Sequence, residues 1–158
     1  MDKIPSFQKN HNVLMPGMYF STLLQNVATF DLRFKKPNSG DYLSPAAMHT
    51  IEHLLATALR NGKNKENIIY FGPMGCRTGF YLLTVHTDYL AALSCLKDAI
   101  HAALAMETIP GSKKIECGNY RSHDLIGAKK ELTAYLKILD SISEEQISHE
   151  QNKFEGTK

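Results

Sequence analysis

The stretch from Ser44 to Gly62, SPAAMHTIEHLLATALRNG, constrains the chain most, because it admits one local structure and one orientation for its polar residues. Ser44 supplies an N-cap, Pro45 suits a first turn that needs no amide hydrogen, and Gly62 ends the run. Leu54, Leu55 and Ala58 form the apolar face of an α-helix. Residues four apart stack along a helix, so His49 and His53 leave from one face with Glu52 beside them.

Around this helix, strand and helix signals alternate. VATFDLRFKK puts Phe30, Leu32 and Phe34 on one side and Asp31, Arg33 and Lys35 on the other, the period of a half-buried strand. NIIYFG and GFYLLTVHT read as two more strands joined across PMGCRT, whose Pro73 and Gly75 mark a turn that carries Cys76. Thr87 or Asp88 starts a helix with Leu93, Leu96, Ile100 and Leu104, and Ser122 or Asp124 another with Leu125, Leu132, Leu136 and Leu139. Cys117, in IECGNY, lies between these two. Strands close enough for hairpins, set among helices, predict an α+β fold rather than a doubly wound parallel sheet: a small antiparallel sheet with helices packed on one face.

The 158 residues suit a single domain over residues 1–158. From Ser143 onward, SEEQISHEQNKFEGTK is polar and reads as a tail (143–158) that frays from the last helix. A formal net charge of +2 is too small for a nucleic-acid or membrane surface. No run of about 18 apolar residues would span a bilayer, and MDKIPSFQKNHN lacks the apolar segment of a signal peptide, so a cytoplasmic location is expected. Three cysteines are an odd number in a reducing compartment, which turns attention from disulfides to ligand and catalytic roles.

Histidines four apart with a glutamate just before the second form the H-x-x-E-H arrangement, in which two imidazoles bind a metal and the carboxylate works beside it. Such pairs also occur on solvated helix faces, and a third ligand decides. Cys117 completes a His2Cys set with an open fourth position, the layout of a catalytic site. His11, His86, His101 and His123 compete less well, and Cys95 and His101 fit core or surface roles within their helix. Cys76, in a glycine-flanked turn, is reachable by a small molecule, and a nearby cation would make it a thiolate base; a half-buried turn cysteine fits equally well. The residues thus leave open a small metallohydrolase or peptidase and a non-enzymatic binding domain stapled by a metal.

SFQKNHN, FDLRFKKPN, HTIEHLLATALRN, GPMGCRTGFYL and ECGNYRSHDLIGAK, in that order, resemble successive motifs of the S-ribosylhomocysteine lyase (LuxS) family, from Ser6 to about Lys129. The resemblance implies a cytoplasmic homodimer of α+β subunits with active sites at the interface. It assigns the metal to His49, His53 and Cys117, and the acid/base roles to Glu52 and Cys76. Arg33 would lie beside Cys76; Ser6, Phe7 and His11 would help form the substrate site, and Arg60 would meet the amino-acid end of the substrate. The implied metal is ferrous iron (Fe2+), with zinc (Zn2+) or cobalt (Co2+) as replacements, although donor chemistry alone favours zinc. The implied reaction moves the ribose carbonyl of S-ribosylhomocysteine from C1 to C3 and then breaks the thioether. Homocysteine and 4,5-dihydroxy-2,3-pentanedione, the precursor of the quorum-sensing signal autoinducer-2, would be released.

Overall fold

The computed structural model describes residue 2 and residues 4–157, apart from the side chains of Pro5 and Ser6. After a short helical turn, α1 (Pro5–Gln8), the chain forms an antiparallel hairpin of β1 (Gly17–Leu24) and β2 (Val27–Arg33). Its tight turn puts Gln25 in the left-handed region at φ 54°. The long capped helix follows as α2 (Pro45–Asn61), then a second hairpin of β3 (Ile68–Pro73) and β4 (Gly79–Val85). The sheet order β1-β2-β4-β3 places β2 and β4 at the centre. All pairings are antiparallel: β1–β2 and β3–β4 are hairpins, and β2 meets β4 across the long connection that carries α2 and β3.

Successive side chains of a strand point to opposite faces. Phe30, Leu32, Phe80 and Leu82 are buried under the helices, while Asp31 and Arg33 belong to the other face. Over the apolar face lie α2, α3 (Tyr89–Ala105) and α4 (Leu125–Asp140), which contribute Ile51, Leu54, Leu55, Leu96, Ile100, Leu132 and Leu139 to one core. Two tyrosines reach through it: Tyr89 donates from its hydroxyl to the Met18 carbonyl at 3.0 Å, and Tyr135 to the Gly17 carbonyl at 2.9 Å. The expected α+β class, with its antiparallel sheet and one-sided helix layer, is what forms.

The helix starts follow the capping residues. Ser44 accepts from the Ala47 amide at 3.2 Å, Asp88 from Ala91 at 2.8 Å, and Asp124 from Gly127 at 2.8 Å.

The C-terminal segment departs from expectation. Of the expected tail over 143–158, residues 143–157 do not fray, and residue 158 lies outside the described residues: α5 (Glu144–Glu155) starts at a Ser143 cap on the Gln146 amide and docks on β1. Phe154 packs edge-to-face on Phe20 with ring centroids 5.4 Å apart. The β1 register shifts between Phe20 and Thr22, and the buried Glu150 carboxylate takes the Phe20 amide at 2.7 Å. Lys153 donates to Glu150 and to the Phe20 carbonyl. A polar helix thereby covers an edge strand, a role that needs one buried stripe and not an apolar sequence.

Candidate active site

Two clusters of chemically capable side chains lie on different layers of this fold. The first is built on α2. His49 and His53, one turn apart, have ring centroids separated by 4.7 Å. Each anchors its ring through Nδ1–H: His49 donates to the Ser122 carbonyl and His53 to the Pro110 carbonyl, both at 2.8 Å. Carbonyls only accept, so both rings are the tautomer whose Nε2 keeps a lone pair for a metal. The loop that supplies these carbonyls, residues 106–124, also supplies Cys117, whose Sγ lies 3.5 Å from His49 Nε2. A turn in which the Cys117 amide bonds the Lys113 carbonyl at 2.9 Å holds it there.

Sequence reasoning expected three ligands and ranked His123 low; the structure brings His123 in. Ligand atoms of His49, His53, Cys117 and His123 all lie within 4.8 Å of one another. His123 immediately precedes the Asp124 cap, and the cap fixes its approach to α2: the Asp124 amide donates to Thr50 Oγ1 at 2.9 Å. Burial, then the His49 and His53 imidazoles, lowers the pKa of His123 and favours the neutral ring. Imidazoles with a thiolate fit a first-row divalent ion such as zinc, ferrous iron or cobalt. Beside this cluster Glu52, half-buried, and Arg60, exposed, line a cavity of about 400 Å³ with His53 and Pro110. Arg60 Nη2 donates to the Ile69 carbonyl at 3.1 Å.

The second cluster lies at the end of β2 and in the β3–β4 turn. The Arg77 amide closes that turn on the Met74 carbonyl at 2.9 Å and leaves Cys76 exposed at its tip. Arg33, 2% exposed, is clamped by Asp31 through Nε at 3.1 Å and Nη2 at 2.6 Å. Its remaining Nη1 donates to Thr78 Oγ1 at 2.6 Å and lies 3.9 Å from Cys76 Sγ. Thr78 Oγ1, 3.1 Å from that sulfur, accepts from arginine and keeps its own proton to give to a Cys76 thiolate. Burial works against ionisation of Cys76, but the Thr78 hydroxyl and amide and the charge of Arg33 outweigh it and hold the thiol below its ordinary 9.0. Phe7, His11, Arg33, Cys76 and Tyr81 line one cavity of about 690 Å³. The Ser6 side chain lies outside the described residues. Sequence reasoning missed Thr78 and Asp31; the period-two pairing of Asp31 with Arg33 was the available signal for the latter.

The fourth candidate ligand is what a metal-stapled binding domain would need, so geometry alone leaves that reading standing. Comparison with known proteins decides. The family model described as S-Ribosylhomocysteinase (LuxS) matches residues 4–146. The chain belongs to the S-ribosylhomocysteinase (LuxS) family.

Relatives of this family match along nearly their full length. The chain is 45% identical over 158 residues to an S-ribosylhomocysteine lyase of Borreliella afzelii, covering 94% of this chain and 99% of that protein. It is 45% identical over 157 residues to one of Desulfotalea psychrophila, and 39% identical over 157 residues to one of Clostridium acetobutylicum, with the same coverage in both cases, 94% and 99%. The expected resemblance to the lyase family is borne out. No helix among the described residues is long and apolar enough to cross a membrane.

Proposed function

We propose that this chain is a carbon–sulfur lyase that cleaves S-ribosylhomocysteine to homocysteine and 4,5-dihydroxy-2,3-pentanedione, the autoinducer-2 precursor. The observation that carries this reading is the Arg33–Thr78–Cys76 relay, a thiol held toward its ionised form in the same chain as an imidazole–cysteine cluster. Neither a peptidase nor a staple has a use for that thiol. The relatives' printed names supply the substrate.

His49, His53 and Cys117 would hold the metal, ferrous iron in the working enzyme with zinc or cobalt as replacements. When bound, it supplies Lewis acidity toward the sugar oxygens. Every chemical step then needs a proton moved at a named carbon. In each carbonyl shift one group takes the proton from the carbon beside the carbonyl, and a proton returns to the former carbonyl carbon; Cys76 thiolate and Glu52 carboxylate alternate in those roles. With the ketone at C3 the C4 proton becomes acidic. Its removal sends an electron pair into a C4–C5 double bond, the C5–S bond breaks, and homocysteine leaves as a thiolate that takes up a proton. Phe7, His11 and Ser6 on the N-terminal arm help form the substrate site, and Arg60 meets the amino-acid end.

The working unit is a homodimer with interfacial active sites. Glu52 and Cys76 line different cavities, Glu52 in the helix layer and Cys76 at the end of the sheet's helix-free face. One chain therefore presents two half-sites, and a two-fold partner would join Glu52 of one copy to Cys76 of the other. Val27, Leu83 and Val85 are half-buried on the helix-free face, and Leu24 and Phe7 are 75% and 70% exposed, apolar surface that suits a second copy. The reducing cytoplasm would keep the three free thiols available.

Anaerobic incubation of the metal-loaded protein with S-ribosylhomocysteine, followed by assay of free thiol, tests the reading. Release of homocysteine together with the dione supports it; absence of new thiol overturns it.

A further inference from the structure

We propose that Lys9 is a positioning residue: its ammonium group pins the N-terminal arm to the buried Asp31–Arg33 pair and so holds Phe7 and His11 at the wall of the cavity that contains Cys76. For its substrate this role rests on the proposed function; the latch itself is a property of the folded chain.

Asp31 does not need Lys9 as a counter-ion. Its carboxylate is 1% exposed, and Arg33 alone bonds both oxygens, Nε to Oδ1 at 3.1 Å and Nη2 to Oδ2 at 2.6 Å. A buried carboxylate held by a two-point arginine is already neutralised. Lys9 Nζ nevertheless reaches the same Oδ2 at 3.1 Å, from 22 residues earlier in the chain and with its side chain 24% exposed. A lysine left in water would keep the rotamer freedom that this contact takes away. What the contact fixes is therefore the segment that carries the lysine.

That segment is folded around Lys9. The chain leaves α1 at Lys9 for extended backbone, at φ −71° and ψ 135°. A turn follows, closed by the Asn12 amide on Asn10 Oδ1 at 3.1 Å and by the Val13 amide on the Asn10 carbonyl at 3.3 Å. It brings the His11 ring back, and Nδ1–H donates to the Lys9 carbonyl at 2.9 Å. Phe7 and His11, two residues to either side of Lys9, both line the cavity shared with Arg33 and Cys76. Phe7 is 70% exposed, so burial of its own ring does little to hold it there.

The other end of the arm is fastened to the neighbouring strand. Tyr19 donates from its hydroxyl to the Met15 carbonyl at 2.9 Å, and Tyr19 is the β1 partner of Asp31 in the register with β2. Lys9 thus ties the arm to β2, and Met15 ties it to β1. Because the carboxylate that receives Lys9 also clamps Arg33, the arm and the thiol turn are registered on one buried group. Phe7 and His11 would meet the substrate from its arrival onward, so loss of their position weakens binding more than it slows the chemical steps.

The test compares wild type, Lys9→Met and Lys9→Arg as full-length, metal-loaded protein. Hydrogen–deuterium exchange over residues 4–13 needs no substrate: those amides should exchange about 10-fold faster in Lys9→Met, the weight of one charge-assisted hydrogen bond, and near the wild-type rate in Lys9→Arg. With S-ribosylhomocysteine, Lys9→Met should raise KM about 10-fold and leave kcat within about twofold, and Lys9→Arg should restore KM. The pH profile of Cys76 alkylation should coincide in wild type and Lys9→Met, since Arg33 and Thr78 remain in place. Equal exchange in wild type and Lys9→Met would overturn the latch. Faster exchange with an unchanged KM, or a fall in kcat with KM unchanged, would overturn its bearing on substrate. Faster exchange in Lys9→Met together with no thiol release by the wild type would uphold the latch and overturn the proposed reaction instead.

Discussion

The Thr78 hydroxyl lies 3.1 Å from the Cys76 sulfur and takes its own hydrogen bond, at 2.6 Å, from the buried guanidinium of Arg33. Arginine's charge thus reaches the thiol through a neutral side chain as well as across the 3.9 Å gap between Nη1 and sulfur.

Thr78→Val keeps the shape and removes the relay, so the Cys76 pKa should rise toward the ordinary 9.0. Alkylation by iodoacetamide tracks the thiolate; its pH profile should shift upward in Thr78→Val and stay in place in Thr78→Ser. Cys95, whose pKa burial and Asp98 raise, serves as the slow internal reference. The sign for stability follows: a thiol ionising below 9.0 in the folded chain stabilises it fully above that pH, and the contribution fades as pH falls through the folded value. Coincident profiles for wild type and Thr78→Val would rule out the relay.

Cys76→Ala and Glu52→Gln should each retain metal and lose turnover by about 10²–10⁴-fold, the usual weight of a positioned acid or base. Metal analysis alongside the thiol-release assay checks both halves; turnover at the wild-type rate in either variant refutes its assignment.

Mixing those two inactive variants tests the composite site. If each site takes Glu52 from one chain and Cys76 from the other, random reassociation restores one intact site in each mixed dimer, or about a quarter of wild-type activity. Sites contained within one chain would stay dead after mixing.

Gly79 pairs with Arg33 across β2 and β4, and a Cβ there would run into the Leu32 carbonyl oxygen. Gly79→Ala should force the central strands apart beside the thiol turn at a cost of about 1–3 kcal/mol. A urea titration reads this as a lowered midpoint, whereas an unchanged midpoint would mean that the strands tolerate the methyl group.

Phe154→Ala should cost about 3 kcal/mol in the same titration, because the ring is 5% exposed against Phe20. A solvated tail would show no change.

Much of this protein is local and therefore readable. The caps at Ser44, Asp88 and Asp124, the alternation through Phe30 and Leu32, and the turn at Gly75 all act within a few residues, so the α2 helix, the central strands and the two-histidine face could be written from the sequence. Ser143 and Gln146 even spelled a capping box, yet α5 read as a tail because its burial depends on two residues, Glu150 and Phe154, meeting a strand over a hundred positions away.

Sequence by itself determined the element types, the i, i+4 imidazole pair and the reactive residue types, since backbone propensity and helical periodicity are short-range. Tertiary structure alone decided which groups meet: the loop carbonyls that set two tautomers, His123 beside Cys117, and Thr78 between Arg33 and Cys76. Hydrogen bonds act over about 3 Å, and only the folded chain brings residues distant in sequence that close.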